Sequence, residues 1–254
     1  MKTCLSKILF ILFCNTLIAF HIQAAEKLPS LAEMWVVHID LKDSADFEKA
    51  LKEHTKFRLE KGDPRQWQIY APITGDQFGV YYIRYCCIEW KDNDAYSAWS
   101  SKNKTLENWR KTAGKYANKL EHYFSALDFK NGQWPETDPG FKFFEVISFD
   151  PKPGMGAKIE ERKAEISQAA VAMKWPYNWS WSWRIGGESQ LSLVLPYTSY
   201  AEMAEPETSF TEALGKHFND ADKARNMMQE WSSYFDSTQS FIVALREDLS
   251  MPQK

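Results

Sequence analysis

The chain has 254 residues, a formal net charge of -3, 44% hydrophobic and 26% charged residues. This balance excludes a strongly basic nucleic-acid binder and a disordered chain, and eleven glycines with eleven prolines exclude collagen-like or low-complexity sequence. Aromatic residues make up 15%, a large apolar area to be buried or turned toward a ligand.

Residues 1–25 read as a cleavable signal peptide. Lys2 and Lys7 supply the positive start, Ile8 to Phe20 the apolar run, and Ala24 and Ala25 the small residues at the cleavage end. The run is interrupted by Asn15 and Thr16 and is too short to span a bilayer. No later stretch approaches the length of a membrane helix, so the mature chain is expected to be exported, periplasmic or secreted, with no membrane span. Cys4 and Cys14 would leave with the signal, and Cys86 and Cys87 would remain. Neighbours on a regular strand point to opposite faces, so these two are expected not to be bridged to each other.

The mature chain opens on an alternating, Val- and Ile-rich stretch, Met34 to Leu41, read as a strand. Asp43 and Ser44 then cap a helix whose apolar face carries Phe47, Ala50, Leu51, His54 and Phe57. Gly62 ends it, and Asp63-Pro64 turns the chain. Gln66 to Tyr70 and Gly79 to Ile88 form a hairpin around Gly75-Asp76. A long helix is predicted through Leu106, Trp109, Ala113, Tyr116, Ala117 and Leu120, and His122 to Phe129 supplies a last strand.

This order, βαββαβ, then returns. Phe141 to Phe149 reads as a strand, and Met155, Ile159, Ile166, Ala170 and Met173 as one helix face. Trp179 to Trp183 and Gln190 to Leu195 form a hairpin. Ala221, Ala224, Met228, Trp231 and Phe235 line a second helix, and Ser240 to Leu245 closes the unit. Residues matched at nearly one offset support duplication. Trp67 and Gly75-Asp76 match Trp179 and Gly187-Glu188; Met34, Val36, His38 and Asp40 match Phe144, Val146, Ser148 and Asp150; Ala113, Leu120, Tyr123 and Phe124 match Ala224, Trp231, Tyr234 and Phe235. The organisation is a signal peptide over 1–25, a first ferredoxin-like repeat over 26–130, a linker over 131–140 and a second repeat over 141–254.

Each such sheet carries helices on one face only, and its bare face must be covered. Two sheets can cover each other and close into a barrel. In this α+β arrangement the chain resembles the dimeric α+β barrel superfamily, fused in tandem as an intramolecular dimer. The resemblance rests on element order and duplication over nearly the whole mature chain. It implies one of several functions, among them cofactor-independent monooxygenases and haem-dependent chlorite dismutases.

Alternation assigns the candidate site residues. His38, a candidate general base, shares a strand face with Met34 and Val36; Tyr82 and Arg84 share another, and the three are the weak catalytic candidates. Tyr177, Trp179, Trp181 and Trp183 lie at spacing two on one side. They are expected to face the space between the sheets, as core, as a wall for a small apolar or aromatic ligand, or as a homo-oligomer interface. No metal-ligand spacing is present, so no metal is expected. Haem would need an axial ligand, for which His217 is the candidate. The leading reading is a small-molecule-binding module; the alternatives are an oxygenase or haem enzyme, and an interaction protein.

The signal reading carries a direct check. Mass spectrometry of the exported product should find Glu26 as the first residue; an intact Met1 there would overturn it.

Overall fold

The computed structural model describes residues 30–252. The signal segment therefore lies outside the described residues. The first unit runs β1 (Leu31–Ile39), α1 (Ser44–Glu60), β2 (Gln68–Pro72), β3 (Val80–Ile88), α2 (Asp92–Lys102), α3 (Thr105–Lys111) and β4 (Ala117–Gln133). The second runs β5 (Phe143–Pro151), α4 (Gly156–Ala172), β6 (Trp179–Ile185), β7 (Leu191–Tyr197), α5 (Phe210–Phe218), α6 (Ala221–Ser233) and β8 (Phe235–Leu245). The eight strands close into one antiparallel barrel in the order β1-β3-β2-β8-β5-β7-β6-β4, with β4 returning to β1. The two four-stranded sheets are joined at β2–β8 and at β4–β6. This is the dimeric α+β barrel fold within a single chain. Among the described residues no helix is long and apolar enough to cross a membrane.

The helices lie outside the barrel. In the first unit Phe47 and Leu51 of α1 pack on the outward residues Val37, Ile39, Ile69 and Tyr81. In the second unit Ile159, Ile166, Ala169 and Ala170 of α4 and Met227 and Trp231 of α6 pack on Phe149, Trp179, Trp181 and Leu191.

This second core corrects the expected direction of the tryptophan strip. Period two does put Trp179, Trp181 and Trp183 on one face, but that face looks outward to the helices. Trp179 and Trp181 are 5% and 4% exposed. Each indole N–H has a partner on the same side: Asn131 O at 2.7 Å for Trp179, Ser167 Oγ at 3.1 Å for Trp181 and Glu160 Oε1 at 2.6 Å for Trp183. Tyr177 lies before β6 and donates to Ala204 O at 2.9 Å. The physical reason is area. The apolar stripes of α4 and α6 need a large apolar partner, and the indoles supply it. Ser180 and Ser182 are left to face inward. The chain's own helices cover Trp179 and Trp181, and the strip does not line the barrel interior.

Two further expectations change. The helix predicted through Leu120 stops at Lys111, where Thr112 turns its hydroxyl back to Asn108 O at 2.8 Å. Ala117 and Leu120 belong to β4, and so does His122. Strand β4 is long because it has two neighbours to serve, β1 along Ala117 to Ala126 and β6 from Phe124 to Gln133. It thus also takes up the first residues of the expected linker. The second is Cys86 and Cys87, which are joined by a disulfide across a cis peptide bond. Divergence of adjacent side chains presumes a trans strand backbone; here the Cα atoms are 2.9 Å apart and the sulfurs meet.

Because Trp181 is buried among Phe149 and Trp231, Trp181→Ala should lower the unfolding free energy by about 3–5 kcal/mol, read from denaturant midpoints.

Candidate functional site

The inward residues of all eight strands enclose a cavity of about 850 Å³. Its lining is of two kinds. Strands β2, β3, β5 and β8 contribute rings: Tyr70 meets Phe144 edge-on at 5.2 Å, and Tyr82 stacks on Phe241 at 5.7 Å. Further along the lining a rung of polar side chains crosses four strands, two of which, β5 and β8, also carry the rings. Ser182 of β6 faces Ser192 of β7, Ser192 faces Ser148 of β5, and Ser148 faces Gln239 of β8. All four border the cavity. Small hydroxyl residues leave the volume open and present both donors and acceptors to it.

One end carries a charged cluster. Ladder pairing sets His38 of β1 beside Val80 and Lys119, and Val36 beside Glu121 of β4. His38 Nε2 lies 2.9 Å from Glu121 Oε1, Lys119 Nζ lies 3.0 Å from the same oxygen, and Arg184 Nη2 of β6 lies 2.9 Å from Oε2. Arg184 also stacks over Tyr123 at 4.1 Å and donates from Nε to Gly186 O at 3.0 Å. Gly187, at φ +77°, makes room: a Cβ there would lie 3.2 Å from Arg184 Nη2.

Burial raises the Glu121 pKa, but hydrogen bonds from Arg184, Lys119 and His38 outweigh it and hold the carboxyl at about 2. An ionised carboxylate only accepts, so His38 carries its proton on Nε2 and keeps Nδ1 as the basic nitrogen. A carboxylate that fixes one imidazole nitrogen and leaves the other to take a proton is the arrangement of a general base. Tyr82, Tyr123 and Tyr70 have pKa values raised above the ordinary phenol value, chiefly by burial, and stay protonated donors.

The other end carries Arg84, which pairs across the ladder with Met34 and Gln68. Tyr70 donates to Gln68 Oε1 at 3.0 Å and lies beside the guanidinium. Trp134, Asp138 and Phe141 border the cavity from the connection between the units. Asp138 Oδ1 accepts from the Gly140 and Phe141 amides at 2.8 and 3.1 Å.

His38, Tyr82 and Arg84, chosen from alternation, all border the cavity, and Ser148, the duplicate position of His38, borders it too. Tyr177, Trp179, Trp181 and Trp183 do not. Glu121 and Tyr123 were not among the sequence candidates, although the alternation Glu121, Tyr123, Ser125 and Leu127 places them on one face of β4. His217 is exposed on α5 against Phe218 and lies away from the cavity, so it offers no axial ligand there. His122 points outward to Glu33 at 2.9 Å and stacks on Trp35 at 3.9 Å. His54 packs under α3 with Nδ1 2.7 Å from Asn108 Oδ1, its pKa lowered to about 4, mainly by burial. Among the described residues no group of three His, Cys, Asp or Glu is placed to hold a metal ion.

No protein-family model matches the sequence, and no curated protein does. Solved structures share the fold. A candidate monooxygenase from Lactobacillus acidophilus matches at 10% identity over 85% of this chain and 94% of its own, with a TM-score of 0.51. An anthrone oxidase-like protein matches at 10% identity over 85% and 91%, TM-score 0.53. Chlorite dismutase from Candidatus Nitrospira defluvii matches at 10% identity over 88% and 94%, TM-score 0.51.

The charged cluster makes a pH prediction. The folded pKa of Glu121 is depressed, so its contribution to stability is full above the ordinary value of 4.5 and is lost as pH falls toward 2. Denaturation midpoints measured across that range should show wild type losing its advantage over Glu121→Gln; a constant difference would contradict the cluster.

Proposed function

We propose that the barrel interior binds a small organic molecule with a flat, largely apolar body and several oxygen substituents. One observation carries this reading: a cavity of about 850 Å³ lined both by paired rings and by the Ser182–Ser192–Ser148–Gln239 rung. Its volume lies in the range of ordinary ligand sites. Apolar lining supplies affinity by displacing water, and the rung supplies orientation. Export through residues 1–25 would put this binding outside the cytoplasm.

The His38–Glu121 pair favours a second reading, that the bound molecule also reacts. A base at one end of a chamber lined by protonated tyrosines can remove a proton from an acidic C–H or phenolic O–H. The fold shared with a candidate monooxygenase and an anthrone oxidase-like protein supports an oxygenase of hydroxyaromatic compounds as that reaction.

The test is fluorescence titration with N-phenyl-1-naphthylamine, a neutral aromatic dye that brightens in apolar sites. Wild type should bind it, and Ser192→Trp, which fills the chamber from the rung, should weaken binding at least tenfold while the fold is kept. Binding that Ser192→Trp leaves unchanged would place the dye elsewhere and overturn the chamber reading. For the second reading, oxygen uptake with an anthrone should fall at least a hundredfold in His38→Ala with dye binding retained; equal uptake would remove His38 as the base.

A further inference from the structure

The two arginines of the chamber stand in different electrostatic states. Arg184 is paired at 2.9 Å with Glu121, a carboxylate it shares with Lys119, and stacks over Tyr123. Arg84, on the inward face of β3 at the other end, is paired with no carboxylate among the described residues. The acid that borders its end, Asp138, is held by the Gly140 and Phe141 amides and makes no ion pair with it. Beside Arg84, the Tyr70 hydroxyl oxygen accepts from the guanidinium and gives its own proton to Gln68. Gln68, directly across the ladder, accepts the Tyr70 hydroxyl proton at 3.0 Å on its oxygen, which leaves its amide NH2 as the group it can offer a ligand. The Met34 side chain on the other flank adds no acceptor of any strength. A guanidinium that faces a half-apolar cavity with one neutral hydroxyl acceptor and no carboxylate bound to it is stabilised by an anion, and its planar fork matches a carboxylate or sulfonate in two parallel hydrogen bonds.

We propose that the chamber takes aromatic monoacids, with the acid group on Arg84 and Gln68 and the ring system lying against the aromatic rings and the serine rung. This rests on the chamber reading above and names the class of molecule that the chamber selects. A single unpaired cation fits one negative charge, which favours a carboxylate or sulfonate over a phosphate dianion. The dimensions agree. Arg84 stands four residues along β3 from Val80, the partner of His38, which is about 13 Å of strand. A molecule of two or three fused rings anchored at Arg84 therefore reaches toward the His38 end, with its orientation fixed by its charge.

The experiment compares two dyes that differ only in the acid group: 1-anilinonaphthalene-8-sulfonate and the neutral N-phenyl-1-naphthylamine. They are titrated into wild type, Arg84→Gln, Arg84→Lys and Ser192→Trp, each checked for an unchanged thermal midpoint. The expected result is tighter binding of the sulfonate than of the neutral dye by wild type. Arg84→Gln should weaken the sulfonate at least tenfold and change the neutral dye less than twofold, and Arg84→Lys should restore part of the loss. If Ser192→Trp blocks both dyes but Arg84→Gln leaves their ratio unchanged, the chamber stands and the acid class falls. A parallel loss of both dyes in Arg84→Gln would make Arg84 a structural residue and overturn the proposal. If Ser192→Trp blocks neither dye, the chamber reading itself fails, and this inference with it. Should Arg84→Gln lower the thermal midpoint, Gln68→Leu, which removes the neutral donor and leaves the charge, serves in its place and should weaken the sulfonate alone.

Discussion

The structure depends on one constraint: a four-stranded sheet has two edges, and each edge is a row of unpaired amides and carbonyls. Two βαββ units with a returning strand solve this by pairing edge to edge, β2 with β8 and β4 with β6. Closure decides the rest. It sends the helices outside, turns the bare sheet faces toward one another, and sets the number of strands around the interior at eight. Eight strands enclose a space just wide enough to fill with side chains or to hold one small ligand. Which of the two occurs depends on the size of the inward residues. On the second unit these include Ser148, Ser180, Ser182 and Ser192, and a cavity remains.

The same constraint explains how far the sequence can be read. The α+β class and the barrel followed from local patterns, because hydrophobic period and turn residues act at short range. The face assignment of the tryptophans did not, since alternation groups residues without saying which group is inside. The deciding information was in α4 and α6, whose apolar stripes demand a larger partner than serines offer. Helix α5 had its own local signal, the Ser209–Glu212 capping box. The extent of β4 was less legible. Leu106, Trp109 and Ala113 fit a helix, and only the pairing of Ala117 to Gln133 with two other strands pulls the following residues into extended form.

For the candidate site the division is similar. His38, Tyr82 and Arg84 stand out because they are polar residues at inward strand positions. Glu121 and Arg184, which set the state of His38, come from strands more than 60 residues apart in sequence and meet only at the β4–β6 junction. No local pattern brings them together. The serine rung is equally invisible in advance: each serine alone is unremarkable, and the rung exists only in the register of β6, β7, β5 and β8.

Duplicated halves in one chain have a consequence for how a ligand can lie. In a barrel made from two identical subunits every inward residue occurs twice, and a molecule on the two-fold axis meets the same surroundings in either direction. Here the matched positions differ: His38 answers to Ser148, and the glutamate–arginine link crosses the β4–β6 seam, whereas the β2–β8 seam joins Tyr70 to Leu245. The interior has a head and a tail. The two halves are not each other's complement: both supply rings, but the serines come chiefly from the second and His38 and Glu121 from the first. A guest that enters such a space is sorted by direction as well as by shape, which a symmetric pair of subunits cannot do.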